Sequence, residues 1–213
     1  MNTMKVVVFG ASGRVGRRMV EYALDAGHEV TAFVRHPIEL RDHLQAGGFR
    51  VEVGSIRERE SVTRAMTGQE AVLSALGMPR IDLPSRLLSN AMKAIVAAMR
   101  ARDVRRIVAV GNGGVLDRRS GGPVFRSPNF PAEYFHVAND HYRALRVLEK
   151  TALDWTFACP ATMPSGERTG KAKVEVDHMP DGEYRVSVED VAAFCVAELA
   201  AREHLRQKVG LSY

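Results

Sequence analysis

Residues 5–16, KVVVFGASGRVG, restrict the possible folds of this chain more than any other segment. The uninterrupted apolar run at residues 6–9 is typical of a central parallel strand, which is covered on both faces. A glycine-rich turn follows this run, and the pattern beyond it predicts an amphipathic helix that begins near Arg14. A strand, a tight turn and a helix in this order predict a βαβ unit and therefore a parallel sheet flanked by helices.

The glycines of the turn have the spacing G-x-x-G-x-x-G, a relative of the dinucleotide-binding motif. Gly10 would let the chain leave the strand sharply, Gly13 would let the backbone approach a pyrophosphate, and Gly16 would let the helix pack closely. Free N–H groups and the helix dipole favour an anion at this position. A purely structural turn has the same spacing, but the strand before it and the helix after it favour a dinucleotide site. The predicted phosphate loop comprises Gly10, Ser12, Gly13, Arg14, Val15 and Gly16.

The composition limits the class of protein. A chain of 213 residues with 46% hydrophobic residues can build one full core, so we expect a single domain over residues 1–213. The net charge of +5 comes from scattered arginines, so we expect a solvated surface and no nucleic-acid partner. No apolar run approaches 18 residues and no leader pattern precedes the first strand, so we expect neither a membrane span nor export. Cys159 and Cys195 stand in separate apolar runs, as expected of reduced core thiols in a cytoplasmic protein, and we expect no metal site.

Strand-like runs alternate with helical periods along the chain, which predicts a doubly wound, mainly parallel α/β sheet of the Rossmann type with helices on both faces. Residues 161–186 contain two short strand-like pieces, 171–176 and 184–186, and are interpreted as a small C-terminal elaboration on the substrate side. The predicted strands after the first are 29–34, 50–53, 69–75, 106–110, 154–159 and a last edge strand at 209–211. The predicted helices are 14–26, 37–46, 58–66, 85–102, 132–151 and one from residue 187 or 188 to 201.

The second predicted strand ends at Arg35, and this residue bears on the choice of cofactor. An acidic residue at this position accepts hydrogen bonds from the adenosine ribose of NAD, whereas a basic residue suits the 2′-phosphate of NADP. Arg35 therefore favours NADP(H), and Arg14 in the glycine loop could flank the same phosphate. Either arginine is equally compatible with an ordinary solvated side chain.

The carboxyl ends of the other predicted strands supply the remaining candidate cofactor contacts, because ligands of open α/β sheets bind at that edge. Small residues follow strands three and four, and three glycines surround Asn112 after strand five. We interpret this last stretch as a floor for the nicotinamide or the substrate, with an ordinary loop as the alternative. The candidate residues are Ser55, Ile56, Ala75, Leu76, Gly77, Gly111, Asn112, Gly113 and Pro160.

Residues 121–131, rich in proline, glycine and aromatic residues, are expected to form a loop over the site. Phe125, Phe130 and Tyr134 are candidates for an apolar wall against a flat ligand. The same side chains could instead anchor the loop to the core.

Six segments of the chain resemble the atypical branch of the short-chain dehydrogenase/reductase superfamily. Within that branch the chain is most similar to the flavin reductase/biliverdin-IXβ reductase type, with the NmrA-like regulators as more distant relatives. The resemblance covers nearly the whole chain and implies a Rossmann fold and an NADP(H)-binding reductase. The segments are GASGRVG at 10–16, VTAFVR at 30–35, GQEAVLSALG at 68–77, AIVAAM and RRIVAVG between 94 and 111, NDHYRALRVLEKTALDWT at 139–156, and SVEDVA at 187–192.

The chain departs from the family pattern at the residues that donate a proton. Ordinary members carry a Tyr-x-x-x-Lys pair, and aligning on LDWT places Val137 at the tyrosine and His141 at the lysine. The serine that assists after strand five is replaced by the 111–113 stretch, and the histidine that often follows strand six is replaced by Ala161 and Thr162. The resemblance therefore implies that His141 binds the nicotinamide ribose without proton transfer, unless it is a histidine satisfied on a helix face.

The missing tyrosine restricts the reaction. Reducing an isolated ketone builds a localised alkoxide and needs a nearby acid, whereas a flavin, quinone or tetrapyrrole spreads the charge over a conjugated system. We therefore expect an NADPH-dependent reductase of a flat conjugated acceptor, in which Asn112 and His141 position the reactants, acting as a monomer or small homo-oligomer. A proton could still come from Tyr134, Tyr142 or His136. A non-catalytic NADP(H) sensor and another NADP-linked enzyme, such as an epimerase, are the alternatives.

Overall fold

The computed structural model describes residues 3–36 and 47–213, which form an eight-stranded sheet with α-helices on its two faces. The strands are β1 Lys5–Phe9, β2 Glu29–Val34, β3 Phe49–Val53, β4 Ala71–Ser74, β5 Arg106–Val110, β6 Asp154–Pro160, β7 Lys173–Val176 and β8 Gln207–Ser212. The helices are α1 Arg14–Asp25, α2 Arg59–Ala65, α3 Leu87–Ala101, α4 Ala132–Leu148 and α5 Val188–Ala201. Two short 3-10 helices, Gly113–Val115 and Val124–Arg126, lie between β5 and α4.

The strand order is β3-β2-β1-β4-β5-β6-β8-β7, and every neighbouring pair is parallel except β7 with β8. This order confirms the predicted Rossmann-type, mainly parallel α/β fold. The chain adds strands outward from β1 to β3, then returns to the other side of β1 with β4. The carboxyl ends of β1 and β4 therefore frame the topological switch point, the usual ligand-binding crevice of open α/β sheets.

Helices bury both faces of the sheet, and the central strands are therefore apolar on both sides. Successive β1 residues alternate between two cores: Val7 and Phe9 pack with α2, α3 and α4, while Val6 and Val8 pack with α1 and α5. All four side chains are fully buried. A strand covered on both sides needs no polar alternation, so the sequence signature of β1 follows from its central position.

Most predicted elements agree with the structure to within about three residues at each end, and β2 and β5 agree at both ends. The predicted helix at 37–46 lies outside the described residues. The prediction that 209–211 is an edge strand is wrong, because β8 lies between β6 and β7. The edge is β7, which pairs antiparallel with β8 through Val174 and Leu211, whereas the 184–186 piece contributes only an isolated bridge from Arg185 to Thr162.

Two further features of the described residues bear on the expected class of protein. Cys159 and Cys195 are free thiols in the core, and burial raises the pKa of both, that of Cys159 to about 12. Within residues 3–36 and 47–213, no helix has the length and apolar character needed to cross a membrane.

A buried ion pair connects β5, β6 and α5. Arg106, 3% exposed, donates from Nη2 to Oε1 of Glu198 at 3.1 Å and from Nη1 to Oγ1 of Thr156 at 3.0 Å. Nδ1 of His204 lies 3.0 Å from Oε2 of Glu198. Burial lowers the pKa of Arg106; burial also tends to raise that of Glu198, but hydrogen bonds from His204 and attraction to Arg106 outweigh it and leave the pKa below its ordinary value.

Replacing one member of this pair should destabilise the fold strongly. Arg106→Met leaves the Glu198 carboxylate buried without its cation, so we expect a loss of about 3–5 kcal/mol in the free energy of unfolding. The double variant Arg106→Met, Glu198→Leu should lose much less than the sum of the single variants, because no uncompensated charge remains. Urea denaturation measures these values.

The exposed pair Arg80–Asp82 offers the matched control. Arg80→Met should leave the free energy of unfolding at the wild-type value within the error of the measurement, because a solvated ion pair contributes little. Additive losses in the double variant at Arg106 and Glu198 would contradict the assigned coupling.

Candidate functional site

The glycine loop is closed by contacts that only glycine permits at two of its positions. Gly10 has a φ of +80°, and a Cβ there would lie 2.7 Å from the carbonyl oxygen of Ala75. Gly16 lies in the first turn of α1, and a Cβ there would lie 2.0 Å from the carbonyl oxygen of Gly10. The amide of Gly13 donates to the same carbonyl at 2.9 Å. These contacts fix the start of α1 directly over the carboxyl end of β1.

The first turn of α1 offers backbone donors to a ligand. Gly13 is the N-cap residue in an extended conformation, and no side chain caps the helix. The amides of the first-turn residues Arg14, Val15 and Gly16 precede the first intrahelical donor, Arg17, whose amide bonds the carbonyl of Gly13. An uncapped helix start with no acidic residue in its first turn is suited to a phosphate group.

The ends of β2 and β3 form the side of the crevice expected to hold adenosine. Arg35 follows β2, is exposed, and makes no hydrogen bond or ion pair with the described residues. Ser55 and Ile56 follow the paired strand β3, and Ile56 packs partly into the core. Gly54 begins this loop, and glycine is required there because a Cβ would lie 2.6 Å from Cβ of Ser61.

Arg14 does not join Arg35. Its Nη1 donates to the carbonyl oxygen of Met163 at 3.0 Å, in the segment that follows β6. β6 and β2 lie on opposite sides of β1 in the sheet, so this contact directs Arg14 away from the predicted 2′-phosphate position. The prediction that both arginines flank one phosphate is corrected accordingly.

A cavity of about 630 Å³ opens at the carboxyl ends of β5 and β6. The structure brings together here many of the residues predicted for the nicotinamide and substrate regions. Phe125 is not among them: it is 3% exposed and packs against Phe135 and Tyr142 with ring centroids 5.8 and 5.4 Å away. The 3-10 helix Val124–Arg126 turns this ring inward, so it anchors the loop. The lining includes Arg14, Asn112, Gly113, Phe130, Tyr134, Pro160, Thr162, Met163 and Tyr184.

The glycine stretch after β5 gives the cavity its floor. Oδ1 of Asn112 accepts from the amide of Gly114 at 2.8 Å and thereby caps the 3-10 helix Gly113–Val115. A Cβ at Gly111 would lie 2.2 Å from the ring of Phe157, and a Cβ at Gly113 would lie 2.8 Å from the hydroxyl of Tyr184. Any side chain at Gly113 would therefore occupy space that the cavity now offers to a ligand.

His141 faces inward from α4 toward the carboxyl end of β4. It is 8% exposed and lines a small cavity with Ser74 and Leu76, and its ring meets Phe157 edge-on at 6.4 Å. Burial lowers the pKa of His141 to about 4, against a weaker opposing effect of Asp140, so the imidazole is neutral at physiological pH. Its nitrogens form no hydrogen bond with the described residues, which leaves them to a ligand.

Neighbouring positions on α4 have structural roles. Val137, where a family tyrosine would stand, is buried and packs into the core. Asp140 is fully buried and accepts from the amide of Leu88 at 2.9 Å and from the hydroxyl of Ser89 at 2.6 Å. These hydrogen bonds hold the start of α3 against α4.

The sequence placed residues 161–186 on the substrate side but did not identify which of their side chains line the cavity. Thr162, Met163 and Tyr184 all line the cavity, and Oγ1 of Thr162 donates to the carbonyl of Tyr184 at 2.7 Å. Tyr184 lies some 24 residues beyond the end of β6, at the start of the short strand-like piece 184–186. No local signal could have predicted where its hydroxyl lies.

A family model described as NAD(P)H-binding matches residues 10–202, and the chain belongs to this family. The matched region begins at the first glycine of the phosphate loop and ends after α5. The family match supports a nicotinamide cofactor.

Individual relatives extend over nearly the full chain. The protein YwnB of Bacillus subtilis (strain 168) is 29% identical over 217 residues, which cover 96% of each chain. A structure from Bacteroides thetaiotaomicron, suggested to be an epimerase, has a TM-score of 0.88 at 29% identity and covers 100% of this chain and 98% of its own. A structure from Streptococcus pneumoniae TIGR4, suggested to be an NADH-flavin reductase, has a TM-score of 0.83 at 28% identity and covers 98% of each chain.

The burial of His141 predicts that the free energy of unfolding depends on pH. Its folded pKa of about 4 lies below the ordinary value of 6.5, so the unfolded chain binds more protons between these pH values. Its contribution to stability is therefore complete above pH 6.5 and is lost as the pH falls toward 4, by about 3 kcal/mol in total. His141→Gln should flatten this part of the pH dependence, measured by urea denaturation from pH 4 to 7.

Val137, one turn before His141 on α4 and also buried, provides the control for this experiment. Val137→Ala removes packing but no titratable group, so it should lower the free energy of unfolding and retain the wild-type slope. Equal slopes in wild type and His141→Gln would show that the imidazole is not buried as described.

Proposed function

We propose that this protein is an NADPH-dependent reductase that transfers hydride to a flat conjugated acceptor of the flavin, quinone or tetrapyrrole type. The observation that supports this most directly is the aromatic-lined cavity beside the carboxyl ends of β5 and β6, adjacent to the phosphate loop. A cavity of this volume fits a drug-sized ring system. The suggested flavin reductase function of the Streptococcus relative supports the same acceptor class.

We infer the placement of the cofactor from the residues at the carboxyl ends of the strands. The pyrophosphate would accept hydrogen bonds from the uncapped first turn of α1, and the adenosine would extend over Ser55 and Ile56 toward Arg35. The nicotinamide half would cross the sheet between β4 and β6. Its proposed contacts are Ala75, Leu76, Gly77, Gly111, Asn112, His141 and Pro160.

His141 has a binding role in this proposal. A neutral imidazole carries one donor and one acceptor nitrogen, which suits the two hydroxyls of the nicotinamide ribose. Because its pKa is about 4, it is a poor source of protons at neutral pH. It would therefore orient the cofactor, while the bound NADPH supplies the hydride.

Positioning is the main task left to the protein. Phe130 and Tyr134 lie on one side of the cavity entrance, where the loop before α4 meets the first turn of that helix. A flat acceptor held between these rings and the nicotinamide would place the reacting atoms at contact distance. We further propose that residues 1–213 act as one domain in the cytoplasm, with residues 161–186 forming the substrate side.

The role of Arg35 can be tested by cofactor titration. Arg35→Ala removes a charge-assisted contact to the 2′-phosphate, so binding of NADPH should weaken by about 1.5–3 kcal/mol while binding of NADH is unchanged. Fluorescence titration of both cofactors measures the difference. Arg119→Ala, at an exposed ion pair with Glu175 beside the β7 edge, is the control and should affect neither cofactor. Equal losses for NADPH and NADH would refute the NADP assignment.

The acceptor class can be tested directly with purified protein. With NADPH it should reduce FMN, riboflavin or a naphthoquinone, and an unconjugated ketone at least about 100-fold more slowly, because the localised alkoxide of a ketone is far more basic than the delocalised anion of a conjugated acceptor. Absorbance at 340 nm under anaerobic conditions measures the rate. Micromolar NADPH binding without turnover of any acceptor would favour the sensor, and faster reduction of ketones would contradict the proposal.

A further inference from the structure

Tyr184 brings a phenol hydroxyl to the floor of the cavity. The hydroxyl lies 2.8 Å from the position that a Cβ of Gly113 would take, directly after β5. The residue as a whole is 56% exposed, so the ring reaches from the surface into the cavity. The hydroxyl forms no hydrogen bond with the described residues. An unpartnered donor therefore faces the space in which the acceptor is proposed to bind.

The backbone that carries Tyr184 is fixed to the end of β6. Thr162 donates from Oγ1 to the carbonyl of Tyr184 at 2.7 Å, and the amide of Val186 donates to the carbonyl of Thr162 at 3.0 Å. An isolated parallel bridge joins Thr162 and Arg185. These contacts hold the backbone of Tyr184 next to the end of β6.

The other candidate donors are less well placed. Tyr142 packs under Arg126 and against Phe125, outside the cavity lining. His136 likewise does not line the cavity. Tyr134 lines it from the first turn of α4, but the Tyr184 hydroxyl is the atom nearest to a Cβ at Gly113, and no Tyr134 atom is among the three nearest.

We propose that the Tyr184 hydroxyl donates the proton to the acceptor, and that the acceptor is therefore a conjugated carbonyl compound, a quinone or an enone. This inference rests on the proposed reductase function and narrows its substrate class. The phenolate of tyrosine and the enolate or quinolate formed during reduction are all oxyanions conjugated with a π system. The corresponding phenol, enol and quinol therefore have similar acidities. Matched acidities favour proton transfer in the transition state.

The reaction balances as follows. The hydride of NADPH forms a bond to an acceptor carbon, and the acceptor π electrons move onto the carbonyl oxygen. That oxygen takes the proton of Tyr184, and the resulting phenolate regains a proton from solvent. NADPH leaves as NADP⁺. The enol formed from an enone tautomerises to the saturated ketone, and the enol formed from a quinone tautomerises to the hydroquinone, as a ring carbon loses a proton and the second carbonyl oxygen gains one.

The charged and titratable groups around the hydroxyl favour the protonated phenol. Burial raises the pKa of Tyr184, and the neighbouring Cys159 thiol raises it further. The remaining titratable groups of the cavity lining are Arg14 and Tyr134. Arg14 donates to the Met163 carbonyl and stays available to offset the charge that builds on the acceptor. The phenol therefore carries its proton at neutral pH.

Tyr142→Phe is the matched control for Tyr184→Phe, since it removes a phenol hydroxyl that lies outside the cavity lining. With 2-methyl-1,4-naphthoquinone, Tyr184→Phe should lower kcat by about 10²–10⁴-fold, whereas Tyr142→Phe should change it less than about threefold. The alkaline decrease of wild-type kcat, caused by ionisation of the phenol, should be absent in Tyr184→Phe. The affinity for NADPH and the thermal midpoint should stay at wild-type values in both variants.

FMN provides the internal control. Hydride addition to the flavin ring spreads the charge over conjugated nitrogens and needs no phenol, so Tyr184→Phe should reduce FMN at the wild-type rate. Wild-type quinone reduction by Tyr184→Phe would overturn the inference alone, as would an equal loss with FMN and quinone. If the wild-type protein reduces neither acceptor, the proposed function fails and the inference fails with it.

Discussion

The close approach of Gly16 to the carbonyl of Gly10 is the constraint on which the rest of the site depends. A Cβ at Gly16 would stand 2.0 Å from that oxygen, so α1 can lie this close to the β1 turn only without a side chain. The contact fixes where the first turn of α1 presents its amides relative to the β1–β4 crevice. Gly10 likewise packs closely against the Ala75 carbonyl, which holds the phosphate loop next to the end of β4 across the switch point. Backbone packing therefore fixes where this loop could hold a dinucleotide.

The sequence predicted the parts of the fold that local chemistry dictates. β2 and β5 are short runs rich in β-branched and apolar residues and bounded by turn residues, so their ends could be placed to the residue. The position of β8 could not, because an apolar run does not show which strands will pair on either side of it. Val209 and Leu211 pack into the core together with residues of α5, and β7 pairs antiparallel with the outer side of β8. That pairing is set by the path of residues 161–186.

The candidate site also has one part that the sequence predicted and another that it did not. The phosphate loop could be predicted because its function is backbone geometry encoded by glycines, whereas the cavity wall depends on long-range contacts. Asp190 at the start of α5 accepts from Thr169, Gly170 and the Tyr213 hydroxyl. Its burial tends to raise its pKa, but these hydrogen bonds outweigh that effect and hold the pKa at about 2. A charged anchor of this kind directs the segment that brings Tyr184 to the cavity, and no periodicity in the sequence reports it.

The buried pair of Arg106 and Glu198 has a consequence for how chains of this fold diverge. The pair lies where β5 begins and α5 ends, at the edge of the sheet opposite the ligand crevice. A lineage that loses one partner keeps a buried charge without compensation, so the two positions are expected to change together among relatives. Among the described residues, no crevice loop holds an ion pair whose two side chains are this deeply buried, so substitutions there are less strictly coupled. Substitutions at the amino ends of the strands are therefore coupled, whereas the loops at the carboxyl ends can change and bind new ligands.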